Sequence, residues 1–151
     1  MSKVAVKVRA LYADTDAMGI VYHANYIRWF EIGRNELFRA MGIFYREVEA
    51  AGYHLPVTQV FCHYLLSTQY DDEVMVETDV AYLKRASIKF TYLIRNIENG
   101  CVLTEGYSVH ACTAKDGKVT RIPPLITDKI NQFYTNGKEQ RQIYGSENRQ
   151  E

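Results

Sequence analysis

The chain has 151 residues, 47% hydrophobic and 24% charged, a size and balance suited to one globular domain with its own core. Its 18 Lys and Arg are matched by 18 Asp and Glu, so it lacks the basic excess on which nucleic-acid and membrane-surface binding rely. Residues 1–9 carry no apolar run of the signal-peptide kind, and no stretch reaches the roughly 20 apolar residues of a membrane span, so a cytoplasmic protein is expected.

Residues 4–12 (VAVKVRALY) have the β-branched, partly alternating character of a strand. The next stretch, 13–19 (ADTDAMG), is turn chemistry, because Asp side chains bond the backbone two residues on and Gly accepts positive φ. From Asn25 the period becomes helical. Tyr26, Phe30, Gly33, Leu37 and Met41 share one face, and Ile27, Trp29, Ile32 and Phe38 widen the apolar arc, which predicts a buried helix. Asn25 is expected to cap it by accepting a first-turn amide, and Gly42 to stop it. Gly33 costs about 1 kcal/mol of helix propensity, which a close approach of backbone or ligand would explain.

A second short helix is expected over 43–51, ended by Gly52. Beyond Pro56, segments 57–66, 73–83, 87–96 and 102–114 are rich in Val, Ile, Thr, Tyr and Phe. The short gaps between them suit antiparallel hairpins, since parallel neighbours need long crossovers. Strand, long apolar helix, then four strands predicts an α+β fold in which one antiparallel sheet wraps the helix. Pro123-Pro124 closes the last strand, and 125–134 reads as a short terminal helix. The domain is therefore expected to span 1–134, with 135–151 a polar, mobile tail.

Cys62, Cys101 and Cys112 form no CxxC pair and are read as free, buried thiols. His54, His63 and His110 show no HxH or HxxxH spacing, so no metal is expected.

The segment 12–26 (YADTDAMGIVYHANY) is where chemistry concentrates. It resembles the signature of the 4-hydroxybenzoyl-CoA thioesterase family, in the branch of short-chain acyl-CoA thioesterases linked to the Tol-Pal system. That signature reads D-x-D-x-x-G-x-V-aromatic, then a Tyr opening a long helix; Asp14, Asp16, Gly19, Val21, Tyr22 and Tyr26 meet it. The likeness continues through Tyr70-Asp71-Asp72 and Leu83-Lys84-Arg85, and covers roughly 4–123.

The resemblance implies a hot-dog fold, a homo-oligomer (dimer or tetramer) with sites between subunits, and an acyl-CoA substrate split to free acid and CoA. It implies Asp16 as the catalytic residue, with His23 in the site as a second catalytic residue that orients substrate or assists proton transfer. It implies Gly19, Val21, Tyr22 and Tyr26 as substrate-binding, with Lys84 and Arg85 on the coenzyme A phosphates. No cofactor is expected, coenzyme A being part of the substrate.

Elementary chemistry agrees about Asp16. Thioester hydrolysis needs a nucleophile or a base, and a carboxylate can be either. It also needs donors aimed at the oxyanion, which a helix N-terminus supplies. Asp14 is read as shaping the turn. His23 has two readings, a site residue or a histidine bonded to nearby backbone. Glu31 and Glu36 on the helix leave room for a helical glutamate in place of Asp16. Two rival functions share the fold: a hydratase or dehydratase of 3-hydroxyacyl thioesters, and a non-catalytic acyl-CoA-binding protein.

Overall fold

A computed structural model describes residues 3 to 140. In chain order the elements are β1 (Val4–Arg9), a 3-10 turn (Tyr12–Asp14), α1 (Asn25–Ala40), α2 (Tyr45–Ala50), β2 (Tyr53–His54), β3 (Val57–Tyr64), β4 (Glu73–Leu83), β5 (Ser87–Asn96), β6 (Val102–Ala111), β7 (Thr113–Ala114) and α3 (Pro124–Gln140).

The alternation along β4 and β5 decides which face of the sheet is covered. Val74, Val76 and Thr78 of β4 and Ile88, Phe90, Tyr92 and Ile94 of β5 are all buried. The register Val76↔Ile94 and Thr78↔Tyr92 places them side by side on that face. The sheet is antiparallel throughout, in the order β1-β4-β5-β6-β3, and β2 pairs with β7 as a separate ribbon. Helix α1 lies on this face with Trp29, Phe30, Leu37 and Phe38 inward, Phe30 stacking on Tyr92 at 4.2 Å between centroids. Each such side chain contributes about 1.5–3 kcal/mol when fully buried. A sheet curled over a long helix is the arrangement the resemblance implies.

Gly33 has a physical reason. A Cβ there would lie 2.3 Å from Thr78 Oγ1 and 2.8 Å from Val76 Cγ1, so only glycine lets α1 seat on β4. Gly42, in the left-handed region, follows the C-terminus of α1 as read from sequence.

Several boundaries differ from expectation. The first strand stops at Arg9, where the chain turns into the 3-10 turn. The 43–51 helix is shorter, Tyr45–Ala50, and the 57–66 strand ends at Tyr64. The segment 102–114 breaks at Cys112, whose amide bonds Ala86 O, so that β7 leaves the sheet to pair with β2. Helix α3 runs on past Tyr134 to Gln140, opening with Pro124 at its first turn, where the missing amide costs nothing. Ile126 and Ile130 bury against the core. Tyr134 accepts the Val80 amide at 2.8 Å and donates to Asp79. The expected tail boundary at 134 thus falls inside a helix, and 141–151 lie outside the described residues. Of the cysteines only Cys112 is buried; Cys62 is half-buried and Cys101 exposed. No helix among the described residues is long and apolar enough to cross a membrane.

Candidate active site

The aspartate segment forms a tight hairpin. The Asp16 carbonyl accepts the Gly19 amide at 3.0 Å, the Asp16 amide donates to Ile20 O at 2.9 Å, and Thr15 bridges Val21. Gly19 sits at φ 78°, a conformation that glycine adopts without penalty. Asp16 Oδ1 accepts the Met18 amide at 2.8 Å, an Asx turn that aims the carboxylate. Its other oxygen makes no hydrogen bond among the described residues, and the residue is only half-buried.

Asp14 has the opposite role. It is buried, accepts the Leu11 amide at 2.8 Å, and pairs with Arg28 at 2.5 Å. Its carbonyl accepts the Tyr22 amide at 2.8 Å and the Asn25 side-chain amide at 2.7 Å. These bonds tie the hairpin to the start of α1. They also correct the expectation for Asn25, which does not cap the helix: Ala24 holds that position, and Asn25 spends its side chain on Asp14.

Further ties come from Tyr64 at the end of β3 and from Thr68 in the loop that follows it. Thr68 O accepts the Val21 amide at 2.8 Å, Tyr26 donates to Thr68 Oγ1 at 2.9 Å, and Tyr64 donates to the His23 carbonyl at 2.8 Å. Burial raises the Tyr26 phenol above its ordinary value, and partial desolvation of the Tyr64 hydroxyl, with Cys62 beside it, raises that one, so both stay neutral donors. The exposed His23 ring stacks obliquely on Tyr22 at 4.3 Å and meets Tyr64 edge-on at 6.3 Å. Among the described residues the amides of His23, Ala24 and Tyr26 have no acceptor. They sit where the α1 dipole is positive, ready to take a developing oxyanion.

The residues named from sequence are partly united. Asp16, Gly19, Tyr22 and His23 share the surface of one hairpin and helix start. Val21 and Tyr26, expected to bind substrate, are buried at 3% exposure each. Lys84 and Arg85 form the exposed β4–β5 bend, with Lys84 Nζ 4.3 Å above the Tyr82 ring. That bend lies at the far end of β4 from Glu73, which is paired with Arg9 beside the aspartate segment. Along the strand the separation is roughly 30 Å at about 3.3 Å per residue. One protomer does not bring the pair to Asp16. Arg28, Tyr64 and Thr68 were not singled out from sequence; the latter two are separated from their partners by 41 and 42 residues, with no local pattern to mark them.

Beside His23 a groove of about 480 Å³ opens between α1 and β3, walled by Ala24, Ile27, Phe30, Val57 and Val60. Among the described residues no three His, Cys, Asp or Glu converge as a metal site.

An antiparallel sheet around a buried helix, with a carboxylate turn at the helix start and an apolar groove beside it, defines a hot-dog protein of the thioesterase type. The chain belongs to the thioesterase-like superfamily, whose profile matches residues 11–130. It is 34% identical over 116 residues to YneP of Bacillus subtilis, covering 77% of this chain and 82% of that one. It is 33% identical over 92 residues to YbgC of Escherichia coli, an acyl-CoA thioester hydrolase, covering 61% and 69% of the two chains. Among solved structures it is similar to a DHNA-CoA thioesterase from Staphylococcus aureus, with 30% identity, a TM-score of 0.82, and coverage of 96% and 94%.

Proposed function

We propose that this protein hydrolyses acyl-CoA thioesters to a carboxylate and coenzyme A, with Asp16 as the reacting group. The carrying observation is the Asp16 hairpin. One oxygen of the carboxylate is fixed by the Met18 amide, the other is uncommitted, and the hairpin is bonded through Asp14 to the first residues of α1. Asp16 attacks the thioester carbonyl or deprotonates the water that does. Negative charge on the carbonyl oxygen meets amides at the helix start. Where Asp16 attacks, the C–S bond breaks to leave an Asp16–acyl anhydride that water then hydrolyses to free acid and Asp16. Where Asp16 deprotonates water, the hydroxide adds to the acyl carbon and the C–S bond breaks directly. In both, the thiolate leaves to take up a proton. Tyr22, 45% exposed, and the exposed His23 immediately precede Ala24, which lines the groove.

The same reading makes the protein a homo-oligomer. β3 is an edge strand with Val57, Val60, Phe61 and Tyr64 all exposed, a surface that a second sheet would cover. Because β3 also walls the groove, its partner would complete the site. Lys84 and Arg85 would then hold the phosphates of a coenzyme A bound at another subunit's Asp16. Unpaired cysteines accord with a cytoplasmic location.

A panel of short-chain, long-chain and aromatic CoA thioesters, followed by thiol release, tests the reaction. Crotonyl-CoA consumed by hydration without thiol release would instead establish a hydratase.

A further inference from the structure

We propose that the groove ends in a carboxylate site built on Arg34, so that the preferred substrates are CoA thioesters whose acyl chain carries a carboxylate at its far end. The inference rests on the thioesterase reading above and names its substrate class.

Ala24, Ile27, Glu31 and Arg34 follow one another along one face of α1 at helical spacing, and all four line the groove. Ala24 adjoins His23, so the groove starts where the thioester would lie. From Ala24 to Arg34 the helix rises about 15 Å, and an arginine side chain leans back toward the helix N-terminus, which shortens the reach. Ile27, Phe30, Val57 and Val60 make the apolar part of the walls between, and Arg28 and Glu31 also line the groove. At the far end stand Arg34 and Ser108.

Arg34 is poorly matched for its burial. Its side chain is 18% exposed, yet the one carboxylate within 4 Å among the described residues is Glu31, at 3.9 Å and itself 62% exposed. That is beyond hydrogen-bond reach. Arg28, by contrast, holds its aspartate at 2.5 Å while 48% exposed. A largely buried guanidinium with so little compensation is costly unless an anion completes it.

The groups behind Arg34 cannot supply that anion. Arg34 donates to the Tyr92 hydroxyl at 3.2 Å. Tyr92 lies 2.5 Å from Ser108 Oγ, Ser108 lies 2.8 Å from His110 Nε2, and His110 Nδ1 lies 2.9 Å from the Leu55 carbonyl. A carbonyl only accepts, so His110 Nδ1 carries the proton and Nε2 accepts. Ser108 therefore donates to His110, and Tyr92 donates to Ser108. Every member is satisfied and neutral. Burial, with Arg34 adding to it, lowers the imidazole to about 4, and burial raises the Tyr92 phenol. The cluster thus holds one uncompensated positive charge. Arg34 spends one of its five N–H donors there, leaving a fork for a bidentate carboxylate.

The test uses the full chain, glutaryl-, adipoyl- and suberoyl-CoA, and their methyl-ended counterparts pentanoyl-, hexanoyl- and octanoyl-CoA. Hydrolysis is followed by thiol release, and affinity for intact thioesters by calorimetry on Asp16→Asn. At one chain length or more, the carboxylate-ended thioester should exceed its counterpart by roughly 10- to 100-fold in kcat/KM and in affinity. Arg34→Gln should erase that preference while keeping methyl-ended substrates within about threefold. Equal use of both classes by the unaltered protein would overturn the proposal. So would Arg34→Gln lowering both classes alike, or shifting the oligomer in sedimentation with the preference intact, which would make Arg34 an interface residue. If no thioester is hydrolysed but the binding preference appears and vanishes with Arg34→Gln, the hydrolytic reading fails and the Arg34 site stands.

Discussion

Arg28 reaches back along the chain to hold the Asp14 carboxylate at 2.5 Å, while Asp16, two residues further on, keeps one oxygen free of any hydrogen bond among the described residues. Two aspartates of one motif therefore have opposite physical roles. The first is buried and pinned; the second is held from one side and presented.

That contrast is measurable as stability. Asp14→Ala leaves the Leu11 amide and Arg28 without their acceptor, and should cost about 2–3 kcal/mol, below the range for a fully buried pair because Arg28 is half exposed. For a domain of this size the melting point should fall by about 5–10 °C. Asp16→Asn should leave the melting point within a degree or two, since an amide keeps the acceptor used by Met18. Equal losses for the two variants would refute the division.

Gly33→Ala sets two effects against each other. Alanine gains about 1 kcal/mol of helix propensity, but its Cβ would sit 2.3 Å from Thr78 Oγ1. Overpacking of this kind costs about 1–3 kcal/mol, so denaturant unfolding should show a net loss. A stabilised variant would mean that α1 does not seat on β4 as described.

His110 makes stability depend on pH. Its pKa is lowered to about 4 in the folded protein, chiefly by burial, against about 6.5 in the unfolded chain. Above 6.5 both states are neutral and its full contribution is present. Between 6.5 and 4 the unfolded chain takes up the proton that the folded one refuses, so stability falls on acidification by up to about 3 kcal/mol. His110→Gln should flatten the unfolding free energy over that window relative to the unaltered protein. Parallel pH profiles would show the imidazole to be accessible or protonated in the fold.

Replacing Lys84 and Arg85 together by Ala should raise KM for CoA thioesters far more than it lowers kcat, because remote phosphate contacts supply uniform binding. A pantetheine thioester, which lacks the nucleotide, should be nearly unaffected. Equal losses on both substrates would make the pair purely structural.

The sequence was most legible where local period and burial agree. Glu73–Leu83 and Ser87–Asn96 could be read to the residue because every second side chain faces α1. The hairpin of Asp14 and Asp16 was legible from turn chemistry, and the need for a close approach at Gly33 from its misfit in a helix. Long-range partners decided the rest. Asn25 looks like a cap until the Asp14 carbonyl competes for its side chain. The break at Cys112 is marked by no Gly or Pro and is set by pairing with Ala86 and β2. Helix α3 outlasts its apolar pattern, and Tyr134 on it reaches Val80 at 54 residues' separation. The Arg34 cluster joins α1, β5 and β6 with no signature in any one of them.

The most direct measurement of the central claim is thiol release by Asp16→Asn, at saturating concentration of whichever CoA thioester the unaltered protein hydrolyses fastest. The amide is nearly isosteric but neither a nucleophile nor a base. Turnover should fall by roughly 10²- to 10⁴-fold or more, with melting point and sedimentation unchanged. Turnover near that of the unaltered protein would contradict the account and move the chemistry away from Asp16.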